Sequence, residues 1–309
     1  MNTDRFRLGA LVTHPEWGPG KIVDVHGDLL RVYFRDLLEE TRGEAVKKIS
    51  LGSGFLALAE VRSDPWLDYL PPLKGERLAL SRARWTIGQA IENFRRLYPL
   101  GFNDPGYLGG KRGGEQHQKR RAHELYLSTL GDGQGQQLLS AGEVGAVAKR
   151  GLAVVGAVNL LSPLEQMALR DGLKEKDAAR EFFDALFDLL AAPRLERVRF
   201  GRYIEALQSL PAKEGKARVA TWPILTILPF LANPVCFMFL KPEVTRRAAE
   251  TLAFDLRYES RLNWPTYERL LIMSRLLMED LRPLGAADWI DVQTFIWITE
   301  RKASGAGKK

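Results

Sequence analysis

The sequence predicts an α+β chain in which a small antiparallel β-barrel precedes a larger all-α domain. Three observations predict it. Hydrophobic alternation of period two is confined to the first 50 or so residues. The apolar pattern then changes to the helical period of about 3.6 and keeps it almost to the end. Finally, the chain has 309 residues with 45% hydrophobic and 27% charged side chains, which is length and core material for two domains.

The barrel is expected over 1–60. Runs LGALVT, KIVDVH and LLRVYF are separated by the turn-forming stretches EWGPG and HGD, and a fourth strand is expected over Glu44 to Ile49. In the third run Leu30, Val32 and Phe34 alternate with Arg31, Tyr33 and Arg35, which places the first set inward and the second outward. So few short strands cannot bury both faces of a flat sheet, and closure into a barrel also removes exposed edges. Residues 61–80 form a transition, where Ser63 or Asp64 can cap and Pro65 can enter a first helical turn.

The all-α domain is expected over 81–302. Thr86-x-x-Gln89, Ser140-x-x-Glu143 and Ser162-x-x-Glu165 read as capping boxes that start helices. Apolar stripes follow at Phe182, Phe183, Leu186 and Leu190, at Tyr203, Ile204, Leu207 and Leu210, and at Tyr267, Leu270, Leu271 and Leu277. No repeat of fixed period is present. Residues 303–309 read as a disordered tail.

With 45 Lys and Arg against 38 Asp and Glu, the net charge is +7, which favours polyanionic partners. A single cysteine, Cys236, excludes an internal disulfide and a cysteine-rich zinc site. The start MNTDRFRLG has no apolar leader, so a cytoplasmic location is expected. The most apolar stretch, Ile224 to Leu240, is interrupted by Pro229 and Pro234 and falls short of the roughly 20 residues that span a bilayer. It reads as core, with no membrane partner.

The segment LVTHPEWGPGKIVDVHGDLLRVYF resembles the Tudor-like C-terminal module of UvrD and PcrA helicases and the RNA-polymerase-interacting domain of CarD-type transcription factors. The resemblance is carried by the His14-Pro15 pair, Trp17, Gly18, Gly20, Gly27 and the Val32-x-Phe34 strand. It implies an SH3-like or Tudor-like barrel that docks on a protein such as RNA polymerase or a repair factor. Trp17 and Tyr33 are the expected docking aromatics, one in a turn and the other on the outward face of a strand. The helical remainder is similar to bacterial proteins of uncharacterised function through GFNDPGYL, LSPLEQMALRDGL, TWPILT, FLKPEVTRRAAE and NWPTYERLL, and this brings no activity with it.

Two basic segments are candidates for contact with DNA or RNA. In GGKRGGEQHQKRRAHELYLSTL a flexible glycine-rich stretch leads into a basic helix, and Lys111, Arg112, Lys119, Arg120 and Arg121 are placed to meet successive phosphates. In the second, Lys241, Arg246 and Arg247 surround the helix start at Pro242, and Arg257 and Arg261 follow in RYESRLNWPTY. The same cations also read as a solvated helix face in the first segment, and as surface charges or structural ion-pair partners beside a proline-started helix in the second.

Catalysis finds less support. His117 and His123 are six apart, which is not the four-residue step of a zinc pair, and Walker, nucleophile-elbow and dinucleotide motifs are absent, so no metal and no cofactor are expected. Glu165, Asp171, Asp184, Asp188, Asp255, Asp288 and Asp291 remain as carboxylates that a fold could bring together. The expected function is therefore that of a nucleic-acid-associated accessory protein of transcription, DNA repair or genome maintenance. The alternatives are an enzyme acting on a DNA base or phosphodiester, and a non-catalytic protein adaptor.

Overall fold

The computed structural model describes residues 6–37, 46–71, 73–74, 77–78, 85–109, 115–192, 195–212 and 218–303. Lys111, Arg112 and the expected tail beyond Ala303 lie outside them. The chain folds as two compact units that do not follow chain order. One comprises Met1–Leu100, Val244–Leu256 and Phe295–Lys309, and the other Gly101–Glu243 and Arg257–Thr294.

The first unit holds an antiparallel sheet of five strands, β1 (Leu11–His14), β2 (Gly18–His26), β3 (Leu29–Phe34), β4 (Val46–Ser50) and β5 (Ala57–Leu58), in the order β4-β3-β2-β1-β5. Among the described residues no pairing joins β4 to β5, so the hydrogen-bonded sheet is open rather than a closed barrel. β2 and β3 meet across a two-residue loop whose Gly27 has φ 57, a conformation that costs an L side chain but not glycine. Gly20 faces Phe34 across the sheet, and a Cβ there would stand 2.6 Å from its ring. Two further short strands, β6 (Leu73–Lys74) and β7 (Arg77–Leu78), pair with each other.

Val12, Ile22, Leu30, Val32, Phe34, Leu37 and Ile49 form the core on one face, as the alternation in LLRVYF implies. The other face is covered too, and this corrects the expected outward placement of Tyr33. Its side chain is 0% exposed and packs with Val23, Val46, Leu67 and Ala253. Ala253 follows helix α9 (Pro242–Thr251), some two hundred residues downstream of the strand. That segment is fixed by Asp255 N–H donating to the Tyr69 carbonyl at 2.7 Å, and by Phe254 lying 5.3 Å from Trp66 and 5.5 Å from Tyr69. Trp66 and Leu67 are themselves placed by Asp64, whose carboxylate accepts from both of their amides. The expected cap at Asp64 thus closes a short 3-10 turn, Leu67–Tyr69, rather than a long helix.

Helix α1 (Ile87–Leu97) begins at the Thr86/Gln89 capping box and turns Phe94 toward Phe295, at 5.7 Å, near the middle of α11 (Trp289–Ala303). The second unit contains α2 (Glu115–Thr129), α3 (Gln134–Ser140), α4 (Val144–Gly156), α5 (Pro163–Gly172), α6 (Lys176–Ala191), α7 (Arg197–Ser209), α8 (Trp222–Ala232) and α10 (Trp264–Leu281). The Ser162/Glu165 box starts α5 as expected. The signal at Ser140 is overturned: Ser140 ends α3, because Gly142 at φ 81 breaks the helix, and α4 starts after Glu143. The core of this unit is aromatic, with Phe200 stacked on Tyr267 at 4.3 Å and Phe182 beside Tyr203 at 5.3 Å. α8 is buried along its whole length, and no helix among the described residues is long and apolar enough to cross a membrane.

Candidate nucleic-acid interface

Helix α2 carries the densest basic run, and the fold divides its cations by helical position. Lys119, Ala122, Tyr126 and Leu130 recur at the spacing of one helix face and are all buried. Lys119 is only 2% exposed, and its ammonium donates to Gln293 Oε1 and, at 2.9 Å, to Thr294 Oγ1 of α11. It is therefore withdrawn from any external phosphate. Arg120 is half-buried and clamps the start of α11, donating to Asp288 and, at 3.3 Å, to Asp291. Arg121 is exposed.

The two aspartates also serve the helix end. Asp288 Oδ1 accepts from Ile290 N–H and Asp291 Oδ2 from Ala287 N–H, each at 2.8 Å, which is how carboxylates satisfy amides at a helix N-terminus. Tyr107, in GFNDPGYL, donates its hydroxyl to Asp291 Oδ1 at 2.6 Å. Burial pushes the Tyr107 hydroxyl well above the ordinary phenol range, and the adjacent Asp291 charge pushes it further, so it remains a protonated donor. Burial alone would lower the Arg120 guanidinium, but the hydrogen bond and charge of Asp288, with Asp291 beside it, leave its pKa raised. One guanidinium thus serves two carboxylates, with the neutral Tyr107 hydroxyl as a further donor to Asp291. On the next turn His123 donates Nδ1–H to the Leu231 carbonyl at 2.7 Å, which fixes the tautomer.

The second basic segment is mixed. Lys241 is half-buried and donates to the Leu160 carbonyl at 3.2 Å. In α9, Arg246 lies 3.9 Å from Glu250 on its own helix, and Arg247, 55% exposed, lies 3.3 Å from Glu300. Arg257 and Arg261 are exposed on the turn before α10.

On the sheet, Trp17 is half-buried and stacks on His14 at 3.9 Å with nearly parallel rings, while the Lys47 ammonium sits 4.9 Å from the Trp17 ring centre. His14 Nδ1 accepts from the amides of Glu16 and Trp17, so the His-Pro-x-Trp motif is a self-capped turn. Phe55, which the sequence did not single out, is 58% exposed and lies 5.8 Å from His14. Burial raises the Tyr33 hydroxyl well above its ordinary range and leaves no surface for docking.

Of the carboxylates considered for catalysis, Asp288 and Asp291 share a partner in Arg120. Glu165 caps α5, Asp171 pairs with Lys174, Asp184 with Arg180 and Asp188 with Arg199. Among the described residues no three His, Cys, Asp or Glu side chains are grouped so as to hold a metal ion. Comparison with protein-family models, curated proteins and solved structures finds no match to this chain.

Proposed function

We propose that this chain is a nucleic-acid-associated accessory protein of transcription, DNA repair or genome maintenance, acting by binding rather than by turnover. The observation that carries the reading is the exposure of Arg121, Arg257 and Arg261 on a chain of net charge +7, while Lys119 and Arg120 are consumed inside the fold. Exposed guanidiniums suit phosphate, giving affinity with little sequence selectivity. The cluster of Asp288, Asp291, Arg120 and Tyr107 is accounted for by its work at the start of α11, so it lends the enzyme reading little.

The N-terminal sheet is the proposed docking module, SH3-like or Tudor-like in kind. Its strand order and the short 3-10 turn Leu51–Ser53 between β4 and β5 support this, together with the resemblance over 11–34 to modules that dock on RNA polymerase or repair machines. Trp17 and the exposed Phe55 are its contact aromatics. The test is fluorescence anisotropy with labelled DNA and RNA, single-stranded and duplex. Binding is expected that weakens at least tenfold between about 50 and 200 mM salt, as counterion release at several phosphates requires. Absence of binding to all four probes at low salt overturns the reading and leaves the protein adaptor.

A further inference from the structure

We infer that segment 252–256 is a strap that opens ahead of the rest of its unit and uncovers the Tyr33 face of the sheet, an inference independent of the nucleic-acid reading above. Apolar burial holds the strap shut. Leu252, Ala253 and Phe254 are at most 2% exposed, with Ala253 packed among Tyr33, Val46 and Leu67 and the Phe254 ring 5.3 Å from Trp66. The polar side of the same contact is poorly served. Trp66 is 0% exposed, and its indole N–H has no hydrogen-bond partner among the described residues. The Tyr33 hydroxyl meets the Leu252 carbonyl at 3.5 Å, the far limit of a hydrogen bond. A buried donor left without an acceptor costs more than an ordinary hydrogen bond contributes.

The backbone carries a cost as well. Helix α9 ends with Phe254 N–H donating to the Ala249 carbonyl at 2.8 Å, an ending that puts one residue in the left-handed region and is most often made with glycine. Here that residue is Ala253, at φ 53, and its methyl belongs to the Tyr33 cluster. The strap thus trades backbone ease for a grip on Tyr33. Left-handed residues with side chains and unpaired buried donors concentrate where structure switches, and segments that open locally are drawn from such places. Opening breaks the 2.7 Å bond from Asp255 N–H to the Tyr69 carbonyl and gives the Trp66 indole and the Tyr33 hydroxyl access to water, which offsets part of the apolar burial lost. The covered face is then the one on which Tyr33 lies, so the strap is an autoinhibitory cover over that side of the sheet.

The experiment is native-state hydrogen exchange on the full chain over a low-urea series, read at two amides. One is Asp255, and the other is Ile22, whose N–H donates to the Ala10 carbonyl at 2.9 Å inside the sheet. After correction for intrinsic rates, Asp255 is expected to exchange at least about tenfold faster than Ile22 in wild type and to respond less to urea, as a local opening does. Phe254→Ala, which removes the ring lying against Trp66 and Tyr69, is expected to speed Asp255 by a further tenfold or so and to leave Ile22 within about twofold. A smaller gap between the two amides in wild type overturns the inference, because the strap then opens only with the whole unit. A Phe254→Ala effect that moves both amides alike, or neither, overturns it too. Should Phe254→Ala not fold, Phe254→Leu gives the same comparison at a milder truncation, and the wild-type gap decides by itself.

Discussion

Arg120→Ala is expected to lower the unfolding free energy by about 3–5 kcal/mol, the cost of breaking a buried ion pair from one side. Asp288 and Asp291 retain only 10% and 3% side-chain exposure, so removing the guanidinium leaves two carboxylates with little water to replace it. Both also hold amides at the start of α11, and Asp291 accepts from Tyr107, so the loss spreads to three elements. Arg120→Lys keeps the charge but cannot reach two carboxylates with a planar fork, and a smaller loss is expected. Urea denaturation followed by circular dichroism measures both. A loss below about 1 kcal/mol for Arg120→Ala, the range of an exposed pair, contradicts a buried clamp.

Tyr33→Ala is expected to cost a further 3–5 kcal/mol or so in its own unit, as truncation of a large buried aromatic does. The side chain is enclosed between the sheet and the segment after α9, with its hydroxyl 3.5 Å from the Leu252 carbonyl. That contact is long, so Tyr33→Phe should change stability by about 1 kcal/mol or less. Were Tyr33 on a solvated face, Tyr33→Ala would stay within about 0.5 kcal/mol, and that result would restore the one-sided sheet.

Local pattern made much of the fold legible. Leu30, Val32 and Phe34 are buried as their alternation implies, and Thr86 and Ser162 cap the helices they announce. The alternation puts Tyr33 outward, but its cover comes from Ala253, and a period-two pattern describes a strand without showing what lies above its second face. The Ser140-x-x-Glu143 spacing matches a capping box, yet Gly142 lies within it, and its positive φ ends one helix and separates it from the next.

The site divides in the same way. Lys119 stands at i−3 from Ala122 and i−7 from Tyr126, so its place on the apolar face was readable, and the density of charge in the run obscured it. The partners of Arg120 were not readable, since Asp288 and Asp291 are remote in sequence and only the fold brings them to α2. The hydrogen bonds that rigidify 257–263 depend on Trp222 and Thr266, and nothing local to RYES signals a left-handed arginine.

The division of cations into buried and exposed sets is tested most directly by the affinity of duplex DNA for two folded variants across a salt series: Lys119→Met, which empties the buried position, and Arg121→Ala/Arg257→Ala/Arg261→Ala, which empties the exposed ones. Lys119→Met is expected to bind as wild type with an unchanged slope, and the triple variant to lose most of the affinity and about three units of slope. Retention of binding in the triple variant together with its loss in folded Lys119→Met would contradict the division.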